Sequence, residues 1–507
     1  MIARLLGRLR EHALLIVLIA AAPAVVCAQS TGWPSERPPR PLDPHPVTFP
    51  HYELRTLSNG LQVIVVRQNE QPVVSVRMLV RAGSAQDPPD KPGVAEMVAT
   101  LLDQGTTTRS AAEVADILDF MGGGLGTGAG TDLSFANTIL LQSNLDEGLQ
   151  LLADIIRRPA FAPEELERQR EQLLSALKVS YQDPDYVAGA VVERLIFGFH
   201  PYGKPGNGTP ESVAALTRDD LVAFHQRWYH PNNTLIAIVG DVSVETAVAA
   251  VEKAFGDWPK GTVPTSTATD PPDPTRRIVV VDRPGAVQTE IRVGQLAIRR
   301  DHQDYMPLNL AVKILGGEGG NRLQAMLRSD RGLTYGASAD MDAYQRSGAI
   351  VADTDTRTET TVEALRLTVD EFIRLQQEAV TQRELDSAQA FLAGNFALTI
   401  ETPDAIALKV LNAIFYGLDL KDLPDYPQQV YRVTTDDIQR VARAYLRPSR
   451  LAIVLVGDAA KFVPGLKKAG FDNYEVVKLD ELDLTAVNLK HVRHAADAAP
   501  GTSPPAR

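Results

Sequence analysis

The chain has 507 residues, of which 44% are hydrophobic and 22% charged, and its formal net charge is −12. A soluble globular protein of roughly two to four domains has this size and composition. The negative charge excludes non-specific nucleic-acid binding, because such binding needs a basic surface.

The first thirty residues have the pattern of a secretory signal. Three arginines precede an apolar run over residues 13–26, and small residues follow it. The run has about fourteen residues, fewer than the roughly 20 of a membrane-spanning helix, so a membrane anchor is the weaker interpretation. We therefore expect a signal peptide over 1–28, a periplasmic location, and no integral membrane segment after the signal is removed.

The single cysteine, Cys27, lies at the end of this signal. A lipid attached there would need a small residue before it, and Val26 fits that requirement poorly, so lipidation stays open as the alternative. After cleavage the chain contains no cysteine, and it can form neither a disulfide bond nor a thiolate metal site. Its stability must then come from packed cores.

Segments rich in proline or small polar residues divide the rest of the chain. Residues 29–47 predict an extended leader, 261–275 a linker, and 486–507 a flexible, low-complexity tail. Between these segments we expect an N-terminal domain over 48–260 and a C-terminal domain over 276–485.

The two domains repeat one pattern. LTRDDLVAFHQRWYHPNNTLIAIVGD ends at Asp241, and VTTDDIQRVARAYLRPSRLAIVLVGD ends at Asp458, 217 residues later. In both segments Thr or Asp caps a helix, the helix stops before Pro, and an apolar strand ends at Gly-Asp. Strands such as GLQVIVV and VSVRMLV also alternate with amphipathic helices. The sequence therefore predicts two homologous halves of the α+β class, each with helices packed on a mostly antiparallel sheet.

Two glycine-rich stretches and the histidines show no cofactor pattern. MGGGLGTGAGTD lacks the strand-turn-helix setting and the downstream ribose-binding acid of a dinucleotide site. ILGGEGGNRLQAMLR lacks the Lys-Ser/Thr of a phosphate-binding loop. The nine histidines form no strong ligand cluster, and structural or solvated roles are the simpler interpretation.

Several segments in order resemble the pitrilysin/insulinase metallopeptidases, the inverted-zinc-motif enzymes related to mitochondrial processing peptidase. FPHYELRTLSNGLQVIVV, GVAEMVATLLDQGT, FAPEELERQREQLLSALKVSYQDPD and HPYGKPGNGTPESV resemble their N-terminal half. LGGEGGNRLQAMLRSDRGLTYG resembles the start of their C-terminal half. The resemblance covers residues 49–480, and it implies the clamshell fold of that family, with tandem homologous halves.

The resemblance also implies where a zinc site would stand. The family motif is a helix reading G-x-A-H-x-x-E-H that closes on G-T, with a third ligand, Glu, on a later helix. The register of GVAEMVATLLDQGT places the first His, the base, the second His and the distal Glu at Glu96, Ala99, Thr100 and Ala176. Alanine offers no donor atom, and a neutral threonine hydroxyl is a poor zinc ligand. We therefore expect no metal here, and we interpret Glu96 as a solvated acid on an exposed helical face.

A second family pattern, R-x6-Y, is retained as Arg328 and Tyr335 in RSDRGLTY. In the family this pair faces the zinc and donates hydrogen bonds to the substrate backbone and to the oxyanion. The resemblance further implies that a peptide adds as a strand to GLGTGAGTD, with Gly128, Ala129 and Gly130 as the contacts.

A chain with the Arg/Tyr pair but no zinc motif resembles the non-catalytic subunit of heterodimeric family members. The resemblance implies a zinc-bearing homologous partner, peptide or unfolded-protein substrates, and no cleavage by the isolated chain. The alternative is an inactive scaffold or peptide-binding pseudo-peptidase. A stand-alone peptidase with another metal site is the weakest interpretation, because no other His/Glu cluster offers ligands.

Overall fold

A computed structural model describes four stretches of the chain, 49–264, 270–273, 275–317 and 319–491. The predicted signal and leader, including Cys27, lie outside the described residues, as do residues 492–507 of the predicted tail. Among the described residues, no helix is long and apolar enough to cross a membrane.

The N-terminal half forms one six-stranded sheet with its helices. Its strands are β1 Tyr52–Thr56, β2 Gln62–Arg67, β3 Val73–Val80, β4 Gly124–Ala129, β5 Ser134–Leu141 and β6 Thr234–Gly240. Its helices are α1 Val94–Leu101, α2 Ala111–Met121, α3 Leu145–Arg157, α4 Pro163–Ser180, α5 Pro184–Phe197, α6 Pro210–Ala215, α7 Arg218–Trp228 and α8 Val244–Phe255. The strand order is β1-β2-β6-β3-β5-β4, and only the β2–β6 pair is parallel.

The C-terminal half repeats this architecture. Its strands are β7 Arg277–Asp282, β8 Gln288–Ala297, β9 Ala337–Ala343, β10 Gly348–Arg357, β11 Ala452–Gly457 and β12 Glu475–Lys478. Its α-helices are α9 Tyr305–Val312, α10 Thr361–Gln377, α11 Gln382–Leu398, α12 Pro403–Phe415, α13 Tyr426–Arg432, α14 Thr435–Tyr445 and α15 Ala459–Leu466, and the π-helical segments are Lys313–Gly317 and Gln324–Asp330. The strand order is β12-β7-β11-β8-β10-β9. The predicted class, two homologous and mostly antiparallel α+β halves, is confirmed.

The repeated segments fold alike because their local signals are alike. Thr217 caps α7 and Thr434 caps α14, each through a reciprocal capping box with the aspartate three residues later. The apolar strands that follow, β6 and β11, are buried along their whole length. Each lies inside its sheet between one parallel and one antiparallel neighbour, which accounts for their continuous apolar sequence.

The two halves exchange a helix, which the sequence did not indicate. Helix α5 of the N-terminal half packs on β8 and β11 of the second sheet, and α12 of the C-terminal half packs on β3 and β6 of the first. Val187 and Val191 of α5 thus share a core with Val279 and Val454 of the second sheet. The halves are therefore joined by interleaved cores as well as by the chain that connects them.

An arginine–aspartate pair anchors each exchanged helix. Arg77 of β3 donates to both carboxylate oxygens of Asp404 near the start of α12, at 2.9 Å each. Arg292 of β8 pairs with one carboxylate oxygen of Asp185 near the start of α5. Because an aspartate in the first turn also interacts favourably with the helix dipole, each pair stabilises both the helix end and its seat on the other sheet.

We expect Asp404→Ala to lower the free energy of unfolding by about 2 kcal/mol, because it leaves the mostly buried Arg77 without its bidentate partner. Urea denaturation at pH 7 measures the change. The control is Glu401→Ala, since Glu401 is an exposed acid just before the same helix. Equal midpoints for the two variants would show that the pair does not hold the halves together.

Candidate functional site

Arg328 and Tyr335, predicted from the R-x6-Y pattern, lie in contact. The Arg328 guanidinium carbon is 4.8 Å from the centroid of the Tyr335 ring, within the range of a cation–π interaction. Both side chains are exposed, and Tyr335 is exposed to 83%. An exposed aromatic ring beside an arginine presents two hydrogen-bond donors, a guanidinium and a phenol, to whatever approaches this surface.

The backbone between the two residues makes a sharp helix end. Arg328 lies in the π-helical segment Gln324–Asp330, and Gly332 follows it in the left-handed region at φ +59°. The amide of Gly332 donates to the carbonyl of Arg328 at 3.0 Å, and that of Leu333 donates to Leu327 at 2.8 Å. These bonds satisfy the last carbonyls of the helix. They also bring the chain back to Tyr335, which lies two residues before the start of β9.

Threonine hydroxyls hold the loop that carries Tyr335. Thr334 and Thr354 donate to the carbonyl of Gly336 at 2.7 and 2.9 Å, and Thr356 donates to the carbonyl of Leu333 at 2.7 Å. The backbone on both sides of Tyr335 is thus tied to β10. The exposed ring therefore stands on a rigid support, as a preorganised binding group requires.

A cavity of about 670 Å³ opens beside Tyr335 at the start of β9. Its lining includes the charged side chains Asp185, Glu290, Arg292, Asp353 and Asp355. Burial raises the pKa of Glu290 to about 7; Arg292 opposes this rise, and Asp355 and Asp185 add to it. Glu290 therefore changes charge near neutral pH.

We expect Glu290→Gln to stabilise the protein above pH 7 by about 1–2 kcal/mol, and near pH 5 by only a few tenths of a kcal/mol. The folded-state pKa lies above the unfolded value of 4.5. The stability from the protonated carboxyl is therefore complete below pH 4.5 and is lost as the pH rises through about 7. Urea midpoints of both proteins between pH 5 and 8.5 measure the difference. A difference between the two urea midpoints that does not change with pH would contradict this assignment.

The positions that the family resemblance assigns to the zinc site do not fit a catalytic metal. Ala99 is buried in the core, and Ala176 lies exposed on α4. Neither side chain has a donor atom, so the donor set does not fit zinc, which needs three protein ligands in catalytic sites. Among the described residues, no group of three His, Cys, Asp or Glu side chains could hold a metal ion.

Glu96 differs from the solvated acid expected from the sequence. It lies on α1, which packs against β4, and its side chain is only partly exposed. Burial raises its pKa, while the backbone amide of Ala129 and the hydroxyl of Thr100 oppose the rise. Glu96 and Thr100, at the two positions that the resemblance assigns to histidine, therefore interact with each other, and Glu96 also contacts the edge strand.

The Gly-Thr that closes the motif has a structural role. Gly105 adopts φ +104°, and Thr106 then points its hydroxyl at the buried carboxylate of Asp154 on α3, at 2.7 Å. Thr108 donates to the same carboxylate at 2.7 Å, and Arg158 donates to its other oxygen at 2.8 Å. Sequence reasoning missed Asp154, because nothing local distinguishes it from the other acids of α3.

The predicted peptide-binding segment forms the edge strand β4, which pairs only with β5 among the described strands. Gly128 and Ala129 lie in β4 and Gly130 in the following turn, where its carbonyl accepts from the amide of Ser84. A Cβ on Gly128 would lie 2.6 Å from the ring of Phe135 on β5. A side chain at this position would therefore require the Phe135 ring to move, whatever approaches the open edge.

Comparison with known proteins gives concordant matches. Residues 62–208 match the family described as insulinase (peptidase family M16), and residues 215–392 match the peptidase M16 inactive domain. The crystal structure of a peptidase M16 inactive domain from Pseudomonas fluorescens is 29% identical, with a TM-score of 0.76, and the match covers 80% of this chain and 98% of that one.

Two Helicobacter pylori relatives have contrasting names. The non-peptidase homolog YmxG is 24% identical, over 79% of this chain and 92% of its own. The zinc protease PqqE is also 24% identical, over 80% of this chain and 93% of its own. One organism thus contains a named zinc protease and a named non-peptidase, and both resemble this chain along most of their length.

Proposed function

The chain belongs to the insulinase family of peptidases, family M16, and we propose that it is the zinc-less subunit of a two-chain metallopeptidase. In this proposal a zinc-bearing homologue is its partner, and the two chains enclose peptides or unfolded segments between them. A zinc ion held by the partner would supply the activated water. This chain supplies the groups that hold the substrate.

The observation behind this proposal is the contact between Arg328 and Tyr335 in a chain that lacks the two histidines and the distal glutamate of the family's zinc site. Three threonine hydroxyls hold the backbone beside Tyr335, and an exposed pair on such a rigid support suits a binding role. The zinc-binding residues are missing while the Arg/Tyr pair is present. This combination favours an active site that two chains share.

Each group of the pair has a separate task in peptide hydrolysis. The Arg328 guanidinium would donate hydrogen bonds to substrate carbonyl oxygens and so hold the extended backbone in place. The Tyr335 hydroxyl would donate to the oxygen that becomes negatively charged as the peptide carbonyl is attacked. A donor already aimed at developing charge lowers the barrier, because little reorganisation is needed during the reaction.

The partner and the location are parts of the same proposal. The Helicobacter pylori pair, one named zinc protease and one named non-peptidase homolog, supports the idea that such chains occur together. The signal-like N-terminus supports export to the periplasm, where the two chains would meet.

Mixing tests the proposal directly. The chain is purified alone, and a homologue with the His-x-x-Glu-His motif is purified from the same organism. Cleavage of a quenched fluorescent casein peptide is then measured for each chain and for the equimolar mixture. We expect little cleavage by either chain alone and strong cleavage by the mixture. No gain on mixing would overturn the proposal.

A second candidate, a peptide-binding pseudo-peptidase or scaffold, is favoured by the match to the peptidase M16 inactive domain and by the relative that is named a non-peptidase homolog. It predicts peptide binding or complex assembly without cleavage in any mixture. Fluorescence anisotropy of the labelled casein peptide separates the two. Binding that depends on Arg328, together with no cleavage by any pairing, would favour the second candidate.

A further inference from the structure

We propose that Gln324 is the positioning residue that sets the Arg328/Tyr335 pair. Its side chain connects the helical segment that carries Arg328 to the strand that follows Tyr335. This inference rests on the proposed function for its meaning, but it concerns a contact that can be measured without any substrate.

The connecting contact is a single hydrogen bond. The backbone amide of Ala337, the first residue of β9, donates to Oε1 of Gln324 at 3.0 Å. Because β9 is the last strand of its sheet, its outward amides have no neighbouring strand to accept from them. At Ala337, two residues after Tyr335, the Gln324 side chain accepts the hydrogen bond that a neighbouring strand would otherwise accept.

Gln324 is itself fixed in place. Its backbone amide donates to the Asn321 side chain at 2.7 Å, which anchors the start of the segment Gln324–Asp330. Arg328 lies one helical turn later in the same segment. The side-chain amide thus joins the two pieces of backbone whose separation determines the distance from the guanidinium to the ring.

The threonine hydroxyls that hold this loop do not connect it to the segment that carries Arg328, and Gln324 is the side chain that adds to the backbone bonds at the helix end. The hydroxyls of Thr334, Thr354 and Thr356 bind the Tyr335 loop to itself and to β10. None of these three reaches the segment that carries Arg328. Gln324 also lines the cavity beside Tyr335, so it can set the pair while remaining next to the surface where substrate would bind.

Two substitutions of similar size separate the hydrogen bond from simple packing. Gln324→Met keeps most of the volume and removes the acceptor, whereas Gln324→Glu keeps an oxygen acceptor at the same reach. The full chain is labelled with 3-fluorotyrosine, and the ¹⁹F signal of Tyr335 is assigned with Tyr335→Phe. Arg328→Ala shows how this signal moves when the cation is absent.

We expect Gln324→Met to move the Tyr335 signal in the direction of Arg328→Ala, and Gln324→Glu to leave it close to the wild-type position. We also expect Gln324→Met to weaken binding of a fluorescein-labelled casein peptide by about 3- to 10-fold, as the loss of one hydrogen bond implies. Gln324→Glu should bind within about twofold of wild type.

Several results would overturn the inference. These are an unmoved Tyr335 signal in Gln324→Met, a Gln324→Glu variant that behaves like Gln324→Met, or a moved signal with unchanged peptide affinity. If the signals behave as expected but wild-type protein binds no peptide, the positioning role stands and the proposed function fails. Equal urea midpoints for the two variants show that both are folded.

Discussion

Arg328→Ala is expected to lower the peptide-hydrolysing activity of the proposed two-chain peptidase by about 10- to 100-fold, the cost of losing one charged hydrogen bond to the substrate backbone. The expectation follows from the exposed guanidinium, which lies 4.8 Å from the Tyr335 ring. Its loss removes one substrate contact and also leaves the ring without its neighbour. Initial rates with the quenched casein peptide, at saturating partner, measure the effect.

The matched control for this prediction is Arg331→Ala. Arg331 is an exposed arginine in the same turn, and its contact in the described residues is a long ion pair with Glu363 at 3.7 Å. Its removal should change the rate less than twofold or so, because exposed ion pairs contribute little. Similar losses for both variants would mean that general positive charge, and not the Arg/Tyr pair, supports hydrolysis.

Asp154→Ala is expected to destabilise the protein by about 3–5 kcal/mol, the range for breaking a buried, hydrogen-bonded charge pair. Asp154 is almost fully buried and accepts hydrogen bonds from Thr106, Thr108 and Arg158. It also pairs with Arg109. Removing the carboxylate leaves these donors without their acceptor. Guanidinium denaturation at pH 7 measures the change.

Asp146→Ala is the control on the same helix, since Asp146 is exposed and makes one surface pair with Lys253. That change should cost under about 1 kcal/mol. Burial raises the pKa of Asp154, but its hydrogen bonds and Arg158 lower it further, so the net pKa lies below 3.8. Its contribution is therefore present above pH 3.8 and is lost as the pH falls through the folded-state pKa. Equal losses of stability in Asp154→Ala and Asp146→Ala would contradict a special role for Asp154.

Several features could be read from the sequence because they depend on neighbouring residues. The capping boxes at Thr217 and Thr434, the strands after them and the repeat itself are set by residues within one turn or one strand. The Arg328/Tyr335 pair belongs with them, because seven residues around a helix end at Gly332 bring the two side chains together. The absence of donor atoms at Ala99 and Ala176 is likewise a matter of residue type.

The remaining features join residues far apart in the chain, and only the tertiary structure decided them. Arg77 meets Asp404 across 327 positions because the halves exchange helices, and the carboxyl of Glu96 meets the edge strand because α1 packs on β4. Local propensity and spacing contain no information about such pairings, since these depend on which faces bury together. The sequence by itself determined the elements, the repeat and the absence of donor atoms at Ala99 and Ala176. Packing decided which distant side chains hold the Arg/Tyr pair and the two halves in place.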